Sequence, residues 1–303
     1  FGVGIVHTGK VLANVRDMMT TDHGGIVPMQ AAEHHTTVAE SVYRKALEHA
    51  GATEGEIEAI AVSHAPGLAP CLLAGMRFAQ EKAKRLAKPI IPVHHCIAHL
   101  EIGKSLGAHD PVLLYVSGAN TQIIAYAGGK YRVFGETLDL GVGNFLDKVA
   151  RSAGLGFPGG PKLEQAARGG RYVELPYVIK GMDVSFSGIQ TKAQQLLAQG
   201  TALADVAFSL QETAFAMLVE AAERALAHTG KKELVLGGGV ACNLRLQEMC
   251  KRMCTERGVK YFCPEKQYLV DNGAMIAYTG ELMYKAGISV TPENIDIAPR
   301  QRT

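Results

Sequence analysis

Short apolar runs alternate along this chain with longer stretches in which apolar residues recur at helical spacing. The short runs are rich in β-branched residues and end at glycine, proline or small polar residues, which is typical of buried strands. Strands are predicted at residues 2–6, 11–15, 57–62, 89–93, 112–116, 121–126, 131–134, 233–236 and 259–263. Regular alternation of strands with helices favours an α/β fold.

Helical periodicity fills the segments between these strands. Helices are predicted at residues 31–50, 72–87, 95–99 and 244–257, with a closing helix after Asp271-Asn272-Gly273. Residues 143–228 have a mostly helical pattern, interrupted by a glycine-rich stretch at 154–161. The first helix should end at Gly51, because glycine readily takes the left-handed conformation that ends helices. A strand, a tight polar turn and a second strand follow Asp110 and look like the opening of a second domain.

Composition excludes several classes of protein. Lysine and arginine number 31 and aspartate and glutamate 29, so a formal charge of +2 gives no general reason to bind nucleic acid or membrane. The six cysteines form no C-x-x-C pair, which indicates reduced thiols in a cytoplasmic protein. No apolar run approaches the roughly 18 residues that a membrane-spanning helix needs, and we expect a soluble protein.

The stretch His95-Cys96-Ile97-Ala98-His99 carries the strongest chemical signal. Residues four apart on a helix share a face, with Cβ atoms about 5–6 Å apart, so both imidazoles can reach one metal ion. The zinc-protease motif H-E-x-x-H has its water-activating glutamate where this chain has Cys96. A metallopeptidase is therefore disfavoured. Two half-buried histidines on an amphipathic helix are the structural alternative.

Two small-residue loops could approach a phosphate. Ser117-Gly118-Ala119-Asn120-Thr121 joins two strands, and its backbone N–H groups could face an anion, although an ordinary hairpin explains it equally. Gly237-Gly238-Gly239 lies between a strand and a helix N-terminus, where a ligand can come close to the backbone. It fits neither a Walker loop nor a Rossmann fingerprint. Asn243 after it could hydrogen-bond a base or ribose.

Isolated polar residues add further candidates. Asp147 and Glu164 could bind a ligand, or could be solvated helix carboxylates. Asp271 is stronger, because Asp-Asn-Gly before a helix leaves a carboxylate projecting from a turn. Tyr115 ends an aliphatic strand with a phenolic oxygen that could bind a metal or simply pack in the core.

Several ordered segments resemble the tRNA threonylcarbamoyladenosine transferase family. Within it they are most similar to the archaeal and eukaryotic branch, the catalytic subunit of the KEOPS complex, whose bacterial counterpart is TsaD. The segments are residues 94–103, 114–122, 134–140, 181–188, 209–220 and 271–276. The resemblance covers nearly the whole chain. Ala119 replaces a glycine usual in the family, and the family's first strand and its loop precede the start of this sequence.

The resemblance implies a two-lobed fold of the actin, Hsp70 and sugar-kinase type, with a nucleotide cleft between the lobes. Residues 1–110 would form the N-terminal lobe, apparently without its first strand, and carry the histidine pair. Residues 111–284 would form the nucleotide-binding lobe. Residues 285–303 would return toward the N-terminal lobe.

The implied activity is metal-dependent transfer of a threonylcarbamoyl group from threonylcarbamoyl-AMP to N6 of the adenosine 3′ of the tRNA anticodon. Matching residue by residue, the resemblance implies the metal and catalytic ligands His95, His99, Tyr115 and Asp271. It also implies the nucleotide contacts Tyr115, Val116, Ser117, Gly118, Ala119, Asp147, Gly160, Glu164 and Asn243. The cofactors would be one divalent iron or zinc ion and an adenine nucleotide.

Partners follow from the same resemblance. They would be tRNA and the KEOPS subunits, namely a small kinase-like ATPase, a dimerising subunit and a further accessory subunit. Two basic helix faces could contribute to tRNA binding, although solvated surfaces are the default interpretation: Lys82, Lys84, Arg85 and Lys88, and Lys251, Arg252, Arg257 and Lys260. A nucleotide-gated scaffold without chemistry of its own, which would bind nucleotide without a transition metal, is the remaining alternative.

Overall fold

The structure is a computed structural model that describes residues 1–19 and 27–303. Strands and helices alternate, as the sequence predicts for an α/β fold. The strands are β1 Gly2–His7, β2 Lys10–Arg16, β3 Ile60–Ala65, β4 Ile90–His94, β5 Val112–Val116, β6 Thr121–Ala127, β7 Lys130–Glu136, β8 Ile179–Lys180, β9 Asp183–Val184, β10 Glu233–Gly237 and β11 Lys260–Phe262. The helices are α1 Pro28–Ala50, α2 Ala69–Leu86, α3 His95–Lys104, α4 Val142–Ser152, α5 Gly159–Ala166, α6 Ser187–Ala198, α7 Leu203–Thr229, α8 Leu244–Arg257, α9 Lys266–Leu269 and α10 Gly273–Lys285.

The described residues divide into two compact units. The first contains residues 1–19, 27–105 and 271–303, and the second contains residues 106–270. Residues 271–284 therefore belong to the first unit, whereas the sequence placed them in the nucleotide-binding lobe. The reason is the packing of α10 against strands of the first unit.

Helix α10 packs on the first unit through contacts that only glycine permits. A Cβ at Gly4 in β1 would lie 2.3 Å from the backbone nitrogen of Ala274, and one at Gly273 would lie 2.3 Å from the nitrogen of Gly4. Further along α10, a Cβ at Gly280 would lie 2.3 Å from the Cβ of Ala61 in β3. The helix axis thus comes closer to the strands than side chains would allow.

The first unit contains two strand pairs. β1 and β2 are antiparallel, and β3 and β4 are parallel. β3 begins three residues later than the sequence predicts, because residues 54–56 form a single 3-10 turn closed by a capping box between Thr53 and Glu56. His64, which lies beyond the predicted end of this strand at residue 62, consequently lies within β3.

The second unit is built on a five-stranded mixed sheet in the order β11-β10-β5-β6-β7. β10 runs parallel to both β5 and β11, while β5, β6 and β7 form an antiparallel meander. All five residues of β5 and all five of β10 are buried, because helices cover the centre of the sheet. Residues 170–186, predicted as part of a mostly helical region, contain no helix, and their regular structure is limited to the two-residue strands β8 and β9.

A carboxylate in the second unit ties the segment before α6 to the segment after β7. Asp139 accepts hydrogen bonds from the hydroxyls of Ser185 and Ser187, both at 2.6 Å, and from the backbone N–H groups of Phe186 and Ser187. Partial burial raises the pKa of Asp139, but these donors outweigh it and hold the pKa well below its usual value. Nothing in the sequence indicated this cluster beyond its place in two family-like segments.

Asp139→Asn is expected to lower the free energy of unfolding at pH 7 by roughly 1–2 kcal/mol, allowing for solvent screening of a partly exposed group. Because the folded carboxyl has the lower pKa, its contribution is fully present above the unfolded pKa of about 3.9 and disappears as the pH falls through the folded value. Denaturant unfolding of both proteins between pH 7 and pH 2 measures the difference. A gap between wild type and variant that stays constant below pH 4 would contradict the assignment.

Candidate functional site

Three metal-type donors lie together in the first unit. One side-chain ligand atom from each of His95, His99 and Asp271 lies within 4.8 Å of the others. Nε2 of His95 is 3.1 Å from Oδ1 of Asp271, and Nε2 of His99 is 3.5 Å from the same oxygen. Two imidazoles and a carboxylate at this separation can coordinate a single ion of iron or zinc.

Local structure explains the placement of the two histidines. β4 ends at His94 and α3 begins at His95, so the first ligand stands at the C-terminal end of a parallel strand. One helical turn later His99 presents its ring on the same face, with the two ring centroids 5.0 Å apart. Most other residues of α3 are apolar and buried, which fixes the helix and orients the histidine face.

The third donor is fixed by the start of α10. Asn272 caps this helix by accepting a hydrogen bond from the backbone N–H of Met275 at 2.9 Å, and Asp271 immediately precedes it. Asn14 in β2 accepts a hydrogen bond from the N–H of Ala274 at 3.3 Å. The sequence predicted the projecting carboxylate but not Asn14 or the approach of Gly4, since neither residue belongs to a recognisable motif.

Burial and the charges of the three donors together shift their pKa values. Burial lowers the pKa of His95, but the Asp271 carboxylate outweighs it and leaves the pKa raised. Burial also lowers the pKa of His99, and there it prevails. At Asp271 desolvation raises the pKa, yet the two imidazoles hold it well below its usual range. The Asp271 side chain is 77% exposed, so a ligand can reach the carboxylate from solvent.

Tyr115, predicted as a fourth metal ligand, lies in β5 of the second unit and is 1% exposed. Its neighbour Val116 ends the same strand and is fully buried. Because Tyr115 and the three donors belong to different units, its role as a ligand stays a prediction.

The predicted phosphate loop is a tight hairpin turn between β5 and β6. The N–H of Ser117 donates to the carbonyl of Asn120 at 2.8 Å, and the Ser117 hydroxyl closes the same turn. Its carbonyls accept from the first residues of α4, with Gly143 N–H donating to Ser117 O and Asn144 N–H to Gly118 O. Gly118 and Ala119 are exposed residues, and their N–H groups donate to no acceptor within residues 1–19 and 27–303. An anion could therefore bind to them.

A second small-residue loop touches this hairpin from β10. Gly238 has a φ of +92°, and a Cβ there would lie 2.3 Å from the carbonyl oxygen of Val116. Both the left-handed backbone and the close approach require glycine. The glycine-rich stretch after β10 thus lies directly against the end of β5, which brings two of the predicted phosphate loops together.

Asp147 and Gly160 meet at the start of α5. One Asp147 oxygen accepts a hydrogen bond from the N–H of Gly159 at 2.7 Å. Burial raises the pKa of this carboxyl despite the backbone donors around it. A Cβ at Gly159 would strike Ala150 at 2.4 Å, whereas one at Gly160 would meet open space. Gly159 is therefore required by packing, and Gly160 borders space that a ligand could occupy.

Glu164 and Asn243 meet at the start of α8. Glu164 accepts from the N–H of Leu244 at 2.9 Å, and Asn243 caps the helix by accepting from Arg245 and Leu246. The Asn243 amide also donates to Gln211 at 3.1 Å. Both residues thus have structural roles that the sequence did not reveal, and Asn243 keeps little capacity to bind a base or ribose.

Comparison with known proteins decides the family. Residues 10–278 match the family model for TsaD, tRNA N6-adenosine threonylcarbamoyltransferase. The chain belongs to this family. The resemblance seen in the sequence is thereby confirmed, and the family is one of acyltransferases.

Archaeal members of the threonylcarbamoyltransferase family are close relatives. The tRNA N6-adenosine threonylcarbamoyltransferase of Thermococcus kodakarensis is 54% identical over the whole chain, which covers 94% of that protein. A probable bifunctional tRNA threonylcarbamoyladenosine biosynthesis protein of Methanosarcina mazei is 53% identical over 99% of the chain. The chain spans 55% of that longer protein.

Solved structures confirm the fold class of this threonylcarbamoyltransferase family member. HypF from Thermococcus kodakarensis superimposes with a TM-score of 0.63 and 15% identity, over 85% of this chain and 45% of that one. Component A of the (R)-2-hydroxyglutaryl-CoA dehydratase of Acidaminococcus fermentans gives a TM-score of 0.55 at 14% identity, over 94% of both chains. These similarities establish an actin, Hsp70 and sugar-kinase type of fold. The predicted nucleotide cleft between lobes stays a prediction.

Five of the eight cations in the two predicted basic faces form ion pairs with described residues. Lys82 is 3% exposed and pairs with Glu40 at 2.6 Å, above the rings of Tyr43 and Phe78. Four further pairs involve predicted tRNA-binding cations: Lys84 with Glu293, Arg85 with Glu54, Arg252 with Glu256 and Arg257 with Glu223. The interpretation of Lys82 as part of an exposed basic face is wrong, because the lysine joins α1 to α2.

Within the described ranges, every helix is too short or too polar to traverse a bilayer.

Proposed function

We propose that this chain transfers a threonylcarbamoyl group from threonylcarbamoyl-AMP to N6 of the adenosine 3′ of the tRNA anticodon. In this reaction N6 forms a bond to the carbamoyl carbon, the bond from that carbon to the phosphate oxygen of AMP breaks, and N6 loses a proton. The observation that carries the proposal is the convergence of His95, His99 and Asp271 in a close relative of proteins named for this activity.

The donor set fits one divalent iron or zinc ion. Imidazole suits both metals, and the added carboxylate of Asp271 and phenolic oxygen of Tyr115 favour iron slightly. When bound, the ion supplies a Lewis acid for the carbonyl or phosphate of the donor. His95, His99 and Asp271 would hold it, with Tyr115 as the proposed fourth ligand.

The second unit would bind the adenylate of the donor. The N–H groups of Gly118 and Ala119 would hold the phosphate, with Ser117 and Val116 fixing that turn. Asp147 and Glu164 would face the ribose, with Gly160 giving room and Asn243 holding the neighbouring helix. Attack by an exocyclic amine depends mainly on positioning and on stabilising the negative charge that develops, which such backbone donors can do.

Apart from the proposed metal ligand Asp271, the groups nearest the histidines along α3 offer no base suited to a peptidase reaction. Cys96, at the position of the protease glutamate, is 1% exposed, and burial raises the pKa of its thiol to about 12. The nearest acid along α3, Glu101, lies 2.8 Å from the ammonium of Lys104. Neither group is placed to activate a water molecule.

The partners in this proposal are tRNA and KEOPS-type subunits, and the proposed location is the cytoplasm. Labelled threonine incorporated into tRNA, in the presence of a donor synthase and the partner subunits, tests the function directly. Incorporation that depends on this protein and is lost with a chelator is the expected result. Peptide cleavage without threonine incorporation would overturn the proposal.

Asp147→Asn separates two roles of this side chain: the hydrogen bond to the start of α5 and the proposed contact with the ribose of the adenylate. Asparagine can still cap α5 through its single oxygen, but it lacks the second carboxylate oxygen and the negative charge that would accept from ribose hydroxyls. We expect an unchanged melting temperature and a fall in adenylate affinity of roughly tenfold, corresponding to about 1.4 kcal/mol for one charged hydrogen bond. Calorimetric titration with AMP measures it, with Asp183→Asn in the same unit as control. Loss of stability with unchanged affinity would make Asp147 a cap only.

A further inference from the structure

The C-terminal residues 288–301 run across the first unit as a firmly attached strap. Val290 exchanges two backbone hydrogen bonds with Ile90 at the start of β4, at 3.0 and 2.8 Å. The Gln80 amide on α2 donates to the carbonyl of Pro292 at 2.9 Å. Ile295 is 6% exposed and belongs to a core cluster with Val62. The strap is therefore part of the fold.

The strap then crosses the C-terminal ends of β3 and β4, where the metal-type donors begin. The N–H of Ala298 donates to the carbonyl of His64 at 2.9 Å, and the N–H of Gly67 donates to the carbonyl of Pro299 at 3.2 Å. The backbone of Gln301 faces the ring of His94, the residue directly before the ligand His95. In α/β folds, ligands bind at this edge of parallel strands.

Within residues 288–301, all of which the structure describes, the one cation is Arg300. Arg300 is exposed and forms no ion pair with the described residues. It borders an open depression of about 450 Å³, whose other lining residues are Ala69, Ala298, Pro299 and Gln301.

The acids of the strap do not neutralise Arg300. Glu293 lies 3.4 Å from Lys84, and Asp296 accepts from the N–H of Ile297 at 2.7 Å. The strap thus presents a positive charge with a fixed backbone on the side of the unit that carries His95.

We propose that Arg300 binds a phosphate of the tRNA substrate and so positions the anticodon loop beside His95, His99 and Asp271. This rests on the proposed transferase function. A guanidinium can bind a phosphodiester through two N–H groups, and a cation on an ordered backbone loses little conformational freedom on binding. Arg300 is a positioning residue in this proposal and takes no part in the chemical step.

The test uses the complete protein with the subunits that co-purify with it, and compares Arg300→Ala, Arg300→Lys and Lys45→Ala. Lys45 is an exposed cation of the same unit, on α1, and its replacement removes the same charge. Fluorescence anisotropy with labelled tRNA over a salt series gives the affinity and its salt dependence. Steady-state transfer gives KM for tRNA and kcat.

For Arg300→Ala we expect a several-fold weaker affinity for tRNA. The slope of the logarithm of the binding constant against the logarithm of the salt concentration should be smaller by about 1, because one phosphate contact is lost. KM for tRNA should rise with kcat and metal content unchanged, and Arg300→Lys should restore much of the slope. Lys45→Ala should match wild type. Equal losses in Arg300→Ala and Lys45→Ala would overturn the proposal, as would an unchanged slope in Arg300→Ala or a wild type without tRNA affinity. Wild-type tRNA binding without transfer would instead refute the proposed function and leave this test intact.

Discussion

Replacement of both His95 and His99 by alanine is expected to eliminate bound metal and threonylcarbamoyl transfer together. Loss of a residue that merely orients a metal ligand costs about 10–100-fold in affinity or activity, so removing two ligands should cost at least about a hundredfold. Asp271 and the proposed ligand Tyr115 cannot hold the ion without the imidazoles, because one carboxylate of the three-donor cluster is left. Metal analysis of the purified protein and threonine incorporation into tRNA measure the two losses independently.

His49→Ala is the matched control for the double variant. His49 is an exposed histidine in the last turn of α1 in the same unit, so its loss changes the histidine count without touching the donors. It should keep both metal and transfer. Full transfer by a double variant that contains no metal would refute the metal assignment, while retained metal would show that other residues bind it.

Gly4→Ala is expected to destabilise the first unit and to weaken metal binding at the same time. Its new Cβ would lie 2.3 Å from the backbone of Ala274, and backbone cannot rotate away as a side chain can. Overpacking of this kind costs roughly 1–3 kcal/mol. Because the contact is at the first turn of α10, the displacement should move Asp271 as well. Thermal unfolding and metal titration, the latter at a temperature where the variant is folded, measure the two effects.

Gly75→Ala is a control for which we expect the opposite change in the free energy of unfolding. Gly75 lies within α2 of the same unit, and a Cβ there would meet no atom within 4 Å. Alanine should therefore stabilise the helix by roughly 0.5–1 kcal/mol and leave metal affinity unchanged. A Gly4→Ala protein as stable as the wild type would show that β1 and α10 separate easily and that their close contact does not fix Asp271.

Local signals in the sequence were sufficient where a helix or strand is bounded by its own residues. The predicted bounds of α8, 244–257, are those observed, because Asn243 caps its start and Gly258 takes the left-handed conformation at its end. The predicted bounds of β5, 112–116, are also those observed, since an apolar run between a proline and a small polar turn leaves little choice. The helical prediction for residues 170–186 was wrong because this segment is held by tertiary packing and not by local signals. Leu175 and Val184 pack into the core, although the segment has neither the helical nor the strand periodicity of apolar residues.

For the candidate site too, local patterns predicted some features and only the tertiary fold determined the others. Spacing alone placed His95 and His99 on one helix face, and the turn Asp271-Asn272-Gly273 alone indicated a projecting carboxylate. Nothing within either segment shows that they meet, because residues 100–270 separate His99 from Asp271 along the chain. Their contact comes from the tertiary fold, which brings α10 against β1 at Gly4.

The sequence by itself determined the fold class, most helices and strands, the family and the chemical types of the donors, because periodicity, capping and motif spacing act over a few residues. Only the tertiary structure decided that α10 belongs with the first unit and that Lys82 is buried. It alone supplied Asp139 and Glu164 with their hydrogen-bonding partners and brought Gln211 to the amide of Asn243. Contacts of this kind join segments far apart in the chain, so no local pattern encodes them.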